Sequence, residues 1–163
     1  MHIDQLERYW LIAVATVLGA FTAALFVSIV VFGVRLPSPV GRIDPVTIAE
    51  SEFAEPGVRH MGGNQWTVHM TAQMWAFIPN QIEVPQGSEV TFIMTSKDIT
   101  HGVIIEEHDV NLMLLPGQIA RATTTFTKPG TFRFVCHEYC GPGHQGMIGE
   151  IVVTEGETAS NEQ

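Results

Sequence analysis

The chain has 163 residues, 45% of them hydrophobic and 15% charged, enough for one domain with an appendage rather than two full domains. Its formal net charge of −9 resides from Leu36 onward, where six of the eight Lys/Arg and fifteen of the seventeen Asp/Glu lie. So acidic a domain argues against a nucleic-acid partner, and suits a basic protein partner or solubility alone.

The N-terminal stretch comes first and is the most biased. From Tyr9 to Val34 no side chain is charged; as a helix this run would reach about 39 Å, more than the roughly 30 Å of a bilayer core. Arg8 and Arg35 bracket it, and Tyr9 and Trp10 stand where an interfacial aromatic belt is expected. A cleaved signal would have an apolar region of about 7–15 residues and a small-residue cleavage site. Phe32-Gly33-Val34-Arg35-Leu36-Pro37 shows no such site. Residues 1–35 therefore read as an uncleaved transmembrane anchor with a short N-terminal segment. Arg8 precedes the helix while Arg35 and Arg42 follow it, so the basic-residue bias is weak and leans toward a cytoplasmic domain.

Residues 36–63 read as a connector, broken by Pro37, Pro39, Pro45, Pro56, Gly57, Gly62 and Gly63. A short helix over Pro45–Phe53 fits, with Asp44 as its cap and Pro45 at its first position. Residues 64–154 carry strand signals at Trp66–Ala72, Gln81–Val84, Glu89–Thr95, His101–Glu106, Ile119–Phe126, Thr131–Val135 and Met147–Val153. Pro85-Gln86-Gly87, Pro116-Gly117 and Lys128-Pro129-Gly130 punctuate them. Short strands at this spacing predict an all-β domain, an antiparallel sandwich whose end loops are free to hold a site. Residues 155–163 form a polar tail.

The chemistry concentrates in one loop. The only two cysteines occur in Cys136-His137-Glu138-Tyr139-Cys140, followed by Gly141-Pro142-Gly143-His144-Gln145-Gly146-Met147. A disulfide across so short a loop would add little stability and leaves the His and Met without a role. A structural zinc site usually has four side-chain ligands and tighter cysteine spacing. Two thiolates, an imidazole and a thioether are soft or borderline donors, and such donors select copper. A blue-copper site needs one Cys and two His; the second Cys here lets two thiolates bridge two ions. One loop histidine is too few for two coppers, and His101, at the start of a strand after Asp98-Ile99-Thr100, is the best further candidate.

The pattern Cys136-x-Glu138-x-Cys140-Gly141-x-Gly143-His144-x-x-Met147, with Asp98-x-x-His101-Gly102 upstream, resembles subunit II of haem–copper cytochrome c oxidases. The likeness extends to the anchor, Arg42-x-Asp44-Pro45 and Pro79-Asn80-Gln81-Ile82-Glu83-Val84-Pro85. It is greatest to the B-type branch, whose subunit II can carry one transmembrane helix where mitochondrial-type subunits usually carry two. The resemblance implies a cupredoxin-like Greek-key sandwich with a mixed-valence, binuclear CuA centre. Cys136 and Cys140 would bridge the coppers, His101 and Met147 completing one and His144 and the Glu138 carbonyl the other. Asp98 is placed to orient a ligand or to cap its loop. The Glu138 side chain corresponds to a magnesium ligand at the subunit I interface in many members. Trp75 and Phe77 fall where the family takes in the donor's electron.

The implied activity is a relay within a terminal oxidase. A cytochrome c or small copper protein would reduce the CuA centre, and haem in subunit I would receive the electron for oxygen reduction. That role puts the domain on the outer face of the cell membrane, against the charge bias. The rivals are the CuA subunit of a nitric oxide reductase, a nitrous oxide reductase, which usually adds a large catalytic domain, and a membrane-tethered copper carrier. A quinol oxidase subunit would share the fold but lack the ligands.

Overall fold

The computed structural model describes residues 4–32 and 39–155. Arg35, the first residues of the expected connector and all of the polar tail but Glu155 lie outside them. The chain forms two units, one containing the N-terminal helix and the other the strands.

Helix α1 (Gln5–Val30) is an unbroken run of 26 residues with no buried side chain. Its mean hydropathy reaches 2.3, so it is long and apolar enough to cross a membrane. The Thr16 and Thr22 hydroxyls donate to the Ile12 and Leu18 carbonyls one turn back, each at 2.8 Å. These bonds satisfy both threonine hydroxyls, which in an apolar setting would each cost several kcal/mol if left unpaired.

Eleven strands are described: β1 (Gly41–Arg42), β2 (Gly57–Gly62), β3 (Gln65–Gln73), β4 (Ala76–Ile78), β5 (Gln81–Pro85), β6 (Glu89–Ser96), β7 (His101–Ile105), β8 (Asn111–Leu114), β9 (Gln118–Thr125), β10 (Gly130–Val135) and β11 (Ile148–Thr154). One sheet runs β1-β9-β6-β3-β2 with β4 also on β3, and the other β5-β11-β10-β7-β8. Alternate residues of each strand point into the space between the sheets. There Val68, Met70, Phe92 and Met94 pack with Ile105, Leu114, Phe134 and Ile151 in one continuous core.

The sandwich is mixed rather than wholly antiparallel, because β3 pairs parallel with β6 and β5 parallel with β11. Two of the turns that punctuate the strands cross between the sheets. Pro85–Ser88 carries the chain from β5 in one sheet to β6 in the other, and Lys128-Pro129 likewise separates β9 from β10. At these turns β5 and β6, and β9 and β10, therefore lie in different sheets, and β5 and β6 find their parallel partners in β11 and β3.

The expected connector is largely built into this domain. Its β2 pairs antiparallel with β3, and Ile48 and Phe53 are buried against Ile93 on the outer face of the six-stranded sheet. The helix predicted over Pro45–Phe53 is reduced to a 3-10 turn at Ile48–Glu50. Ile48 and Phe53 lie five residues apart, so a regular helix would aim them about 140° apart and could not seat both on the sheet. Asp44 still acts locally, its Oδ1 accepting from the Val46 amide at 2.9 Å.

Candidate metal centre

Strands β10 and β11 are antiparallel neighbours, and Val135 faces Ile148 in their register. The loop from Cys136 to Met147 therefore leaves and rejoins the same edge, and the Cys136 amide closes it by donating to the Met147 carbonyl at 3.0 Å. Within it, the His144 amide donates to the Gly141 carbonyl and the Gly146 amide to the Gly143 carbonyl, both at 3.0 Å. Gly141 has φ +113°, which a side chain would strain. The two turns bring His144 and Met147 back over the cysteines.

The side chains meet around the two sulfurs, which are free thiols 3.8 Å apart. Cys136 Sγ lies 3.2 Å from the Glu138 carbonyl oxygen and 4.0 Å from Nδ1 of His101. Cys140 Sγ lies 3.5 Å from Nδ1 of His144 and 3.7 Å from Sδ of Met147. His101 arrives from the start of β7, which pairs with β10. His101, Cys136 and Cys140 place their donor atoms close enough for one metal site. His101, Cys136, Cys140 and Met147 are all buried, whereas His144 is partly exposed. Burial and the neighbouring Cys136 push the Cys140 thiol up to about 11, so a metal binding there must displace a proton.

Asp98 bridges two elements. Its Oδ1 receives Nε2–H of His101 at 2.8 Å, which leaves Nδ1 of that ring facing Cys136. Its Oδ2 accepts from the Met74 amide at 2.6 Å, and Oδ1 also accepts from the Ile99 amide at 2.7 Å. Desolvation raises the Asp98 carboxyl, but the hydrogen bonds from His101, Met74 and Ile99 outweigh it and hold the group below its usual value. Asp98 thus bonds both the imidazole and the amides of Met74 and Ile99.

Trp75 and Phe77 part company. Trp75 is 43% exposed, and its indole Nε1–H donates to the Cys140 carbonyl at 2.9 Å. Phe77, expected beside it where electrons enter, is instead buried and packs edge-on against Phe134 with ring centroids 5.2 Å apart. The alternation of the short strand β4 turns Phe77 into the core while Ala76 is exposed. The Glu138 side chain is exposed although its carbonyl faces the sulfurs. His137 turns outward and its ring covers Gly102, where an added Cβ would come within 2.4 Å of it.

The donor set fits copper. Two thiols, two imidazoles, a thioether and a carbonyl oxygen form a soft and borderline group, and a disulfide would leave the histidines and Met147 without a function. The family described as "Cytochrome C oxidase subunit II, periplasmic domain" matches residues 64–155. Cytochrome c oxidase subunit 2 of Thermus thermophilus is 39% identical over 91% of this chain and 92% of its own length. This chain belongs to the cytochrome c oxidase subunit II family.

Among solved structures, a heme-copper terminal oxidase dimer aligns with 91% of this chain and 99% of its own at 30% identity, with a TM-score of 0.65. The periplasmic domain of subunit II of cytochrome oxidase from Bradyrhizobium japonicum, 22% identical with a TM-score of 0.51 over 55% of this chain and 83% of its own, shares the fold. The cytochrome c oxidase subunit II of this chain is thus a cupredoxin-like sandwich with an N-terminal apolar helix, and an electron-accepting subunit of a haem–copper oxidase.

Proposed function

We propose that this subunit II holds a binuclear CuA centre and takes electrons from a cytochrome c or a small copper protein for haem in subunit I. One observation carries the reading: each sulfur is flanked by one donor for each of two metal positions. Cys136 is flanked by His101 and the Glu138 carbonyl, and Cys140 by His144 and Met147. If His101 and Met147 complete one position and His144 and the Glu138 carbonyl the other, both sulfurs lie between the two positions. Bound there, a pair of copper ions supplies one-electron relay chemistry.

The residues hold that chemistry in place. Cys136 and Cys140 would hold both ions, His101 is fixed in one tautomer by Asp98, and the core beneath Met147 keeps water away. Exposed Met74, Trp75, Ile99, Tyr139 and Ile148, all on or near these loops, give a donor protein an apolar surface, and Trp75 touches the ligand loop directly. The helix is the single-pass membrane anchor and the domain faces outward, where a soluble donor can reach it. The exposed Glu138 carboxylate is the magnesium ligand at the subunit I interface.

Electron paramagnetic resonance of the copper-loaded full chain in detergent tests the centre. Hyperfine structure from one electron shared by two coppers is expected, and a single-copper spectrum would refute it. Met147→Leu is expected to shift the reduction potential and leave the shared-electron spectrum recognisable, because a thioether is the weakest donor of the set. Protein-film voltammetry reads that shift. Glu138→Gln is expected to remove manganese binding, used as the probe for magnesium, from the assembled oxidase while leaving the copper spectrum unchanged, since the backbone carbonyl remains.

A further inference from the structure

We infer that the turn joining β3 to β4, Met74-Trp75, is a clamp that sets the spacing between the two separate halves of the metal site. The inference rests on the reading of His101 and the Cys136–Met147 loop as the ligands. Those halves are 35 residues apart in sequence, and the β7–β10 ladder joins them only as far as Ile104 and Val135. The turn touches both. On one side the Met74 amide donates to Oδ2 of Asp98, whose Oδ1 holds His101. On the other, the Trp75 indole N–H donates to the Cys140 carbonyl.

The fit of Trp75 to the loop is close. A methyl group added at Gly143 would come within 2.5 Å of Trp75 Cδ2, and one at Gly141 within 3.0 Å of Nε1. The indole therefore lies over the stretch of backbone that aims Cys140 and His144, and the two glycines are the space it occupies. The end of β3 that leads into the turn is held beside the end of β6, because the Lys97 amide donates to the Ala72 carbonyl at 2.9 Å. A site assembled this way is organised before any metal arrives, which keeps its donors from relaxing apart. Trp75 is on this account a positioning residue through its N–H, separate from any part it has in passing electrons.

The test uses the reduced, metal-free full chain in detergent, so that it does not depend on copper. In Trp75→Phe the ring stays and the N–H is lost; Asp98→Ala cuts the other anchor. Both cysteines are buried, so the rate at which they react with a thiol reagent reports opening of the loop. Trp75→Phe is expected to speed labelling about tenfold, the worth of one hydrogen bond. Asp98→Ala should do the same, and the double variant should be no faster than either, because releasing one anchor already frees the turn. Amide hydrogen exchange in β6, read in parallel, should not change. A Trp75→Phe rate within twofold of the parent overturns the clamp. So does a faster rate matched by equal acceleration in β6, which would be global destabilisation, or full additivity in the double variant. Failure of the two-copper reading shows separately, in the resonance spectrum of the loaded parent.

Discussion

Replacing Cys136 or Cys140 by serine is expected to abolish the shared-electron copper spectrum while leaving the domain folded. Serine has the shape of cysteine, and both positions sit in a loop whose backbone is closed by its own hydrogen bonds, from the Cys136 amide to the Met147 carbonyl and from the His144 amide to the Gly141 carbonyl. An alcohol is a harder and far less acidic donor than a thiol and does not bridge copper ions. On the proposed two-copper reading, either single change leaves one bridge where two are needed, so the effect is all or nothing. Resonance and circular dichroism on the same samples check it. A surviving two-copper signal in either variant would show that the sulfurs do not play equivalent bridging roles.

Phe134→Ala is expected to have the opposite character, a large loss of stability from a residue that offers no donor. Phe134 is buried at the centre of the five-stranded sheet and meets Phe77 edge-on at 5.2 Å. Its ring also lies over Gly149, its register partner on β11, where an added Cβ would come within 2.2 Å of Phe134 Cζ. Removing the ring opens a cavity that the surrounding strands cannot close, at a cost of about 3–5 kcal/mol, a large share of the 5–15 kcal/mol typical of a whole domain. Urea unfolding of the full chain should show a lower midpoint with an unchanged slope. Because Cys136 follows only two residues later, copper release should also quicken. Gly149→Ala destabilises from the other side by pressing on Phe134 and on the Asn80 carbonyl, 2.6 Å from the added carbon.

Much of the site was legible because its donors are local. Cys136, Glu138, Cys140, His144 and Met147 are spaced within one loop, and their chemistry argues for copper with no knowledge of the fold. Asp98 and His101 were within reach for the same reason, three residues apart at the start of a strand. Trp75 stood out only through the resemblance, and nothing local foretold its bond to a carbonyl 65 residues away. Phe77 was singled out by the resemblance alone, and its turn into the core, reversed from Ala76, depends on how β4 lies on β3. The strand runs were visible from their alternation, but a turn such as Pro85-Gln86-Gly87 looks the same whether it doubles back within a sheet or crosses to the other. Nor did the proline-rich stretch before Asn64 reveal that Ile48 and Phe53 would find a place on the sheet.

The placement of β11 has a consequence for how the molecule is made. This last strand lies between β5 and β10, so the second sheet is incomplete until the end of the chain is available. On the proposed outward orientation, a polypeptide threaded from its N-terminal helix exposes Cys136 and Cys140 before β11 can join. During that interval both thiols are bare, and His101 has no finished sheet on which to face them. If the domain is exported and holds copper as proposed, metal insertion follows the joining of β11.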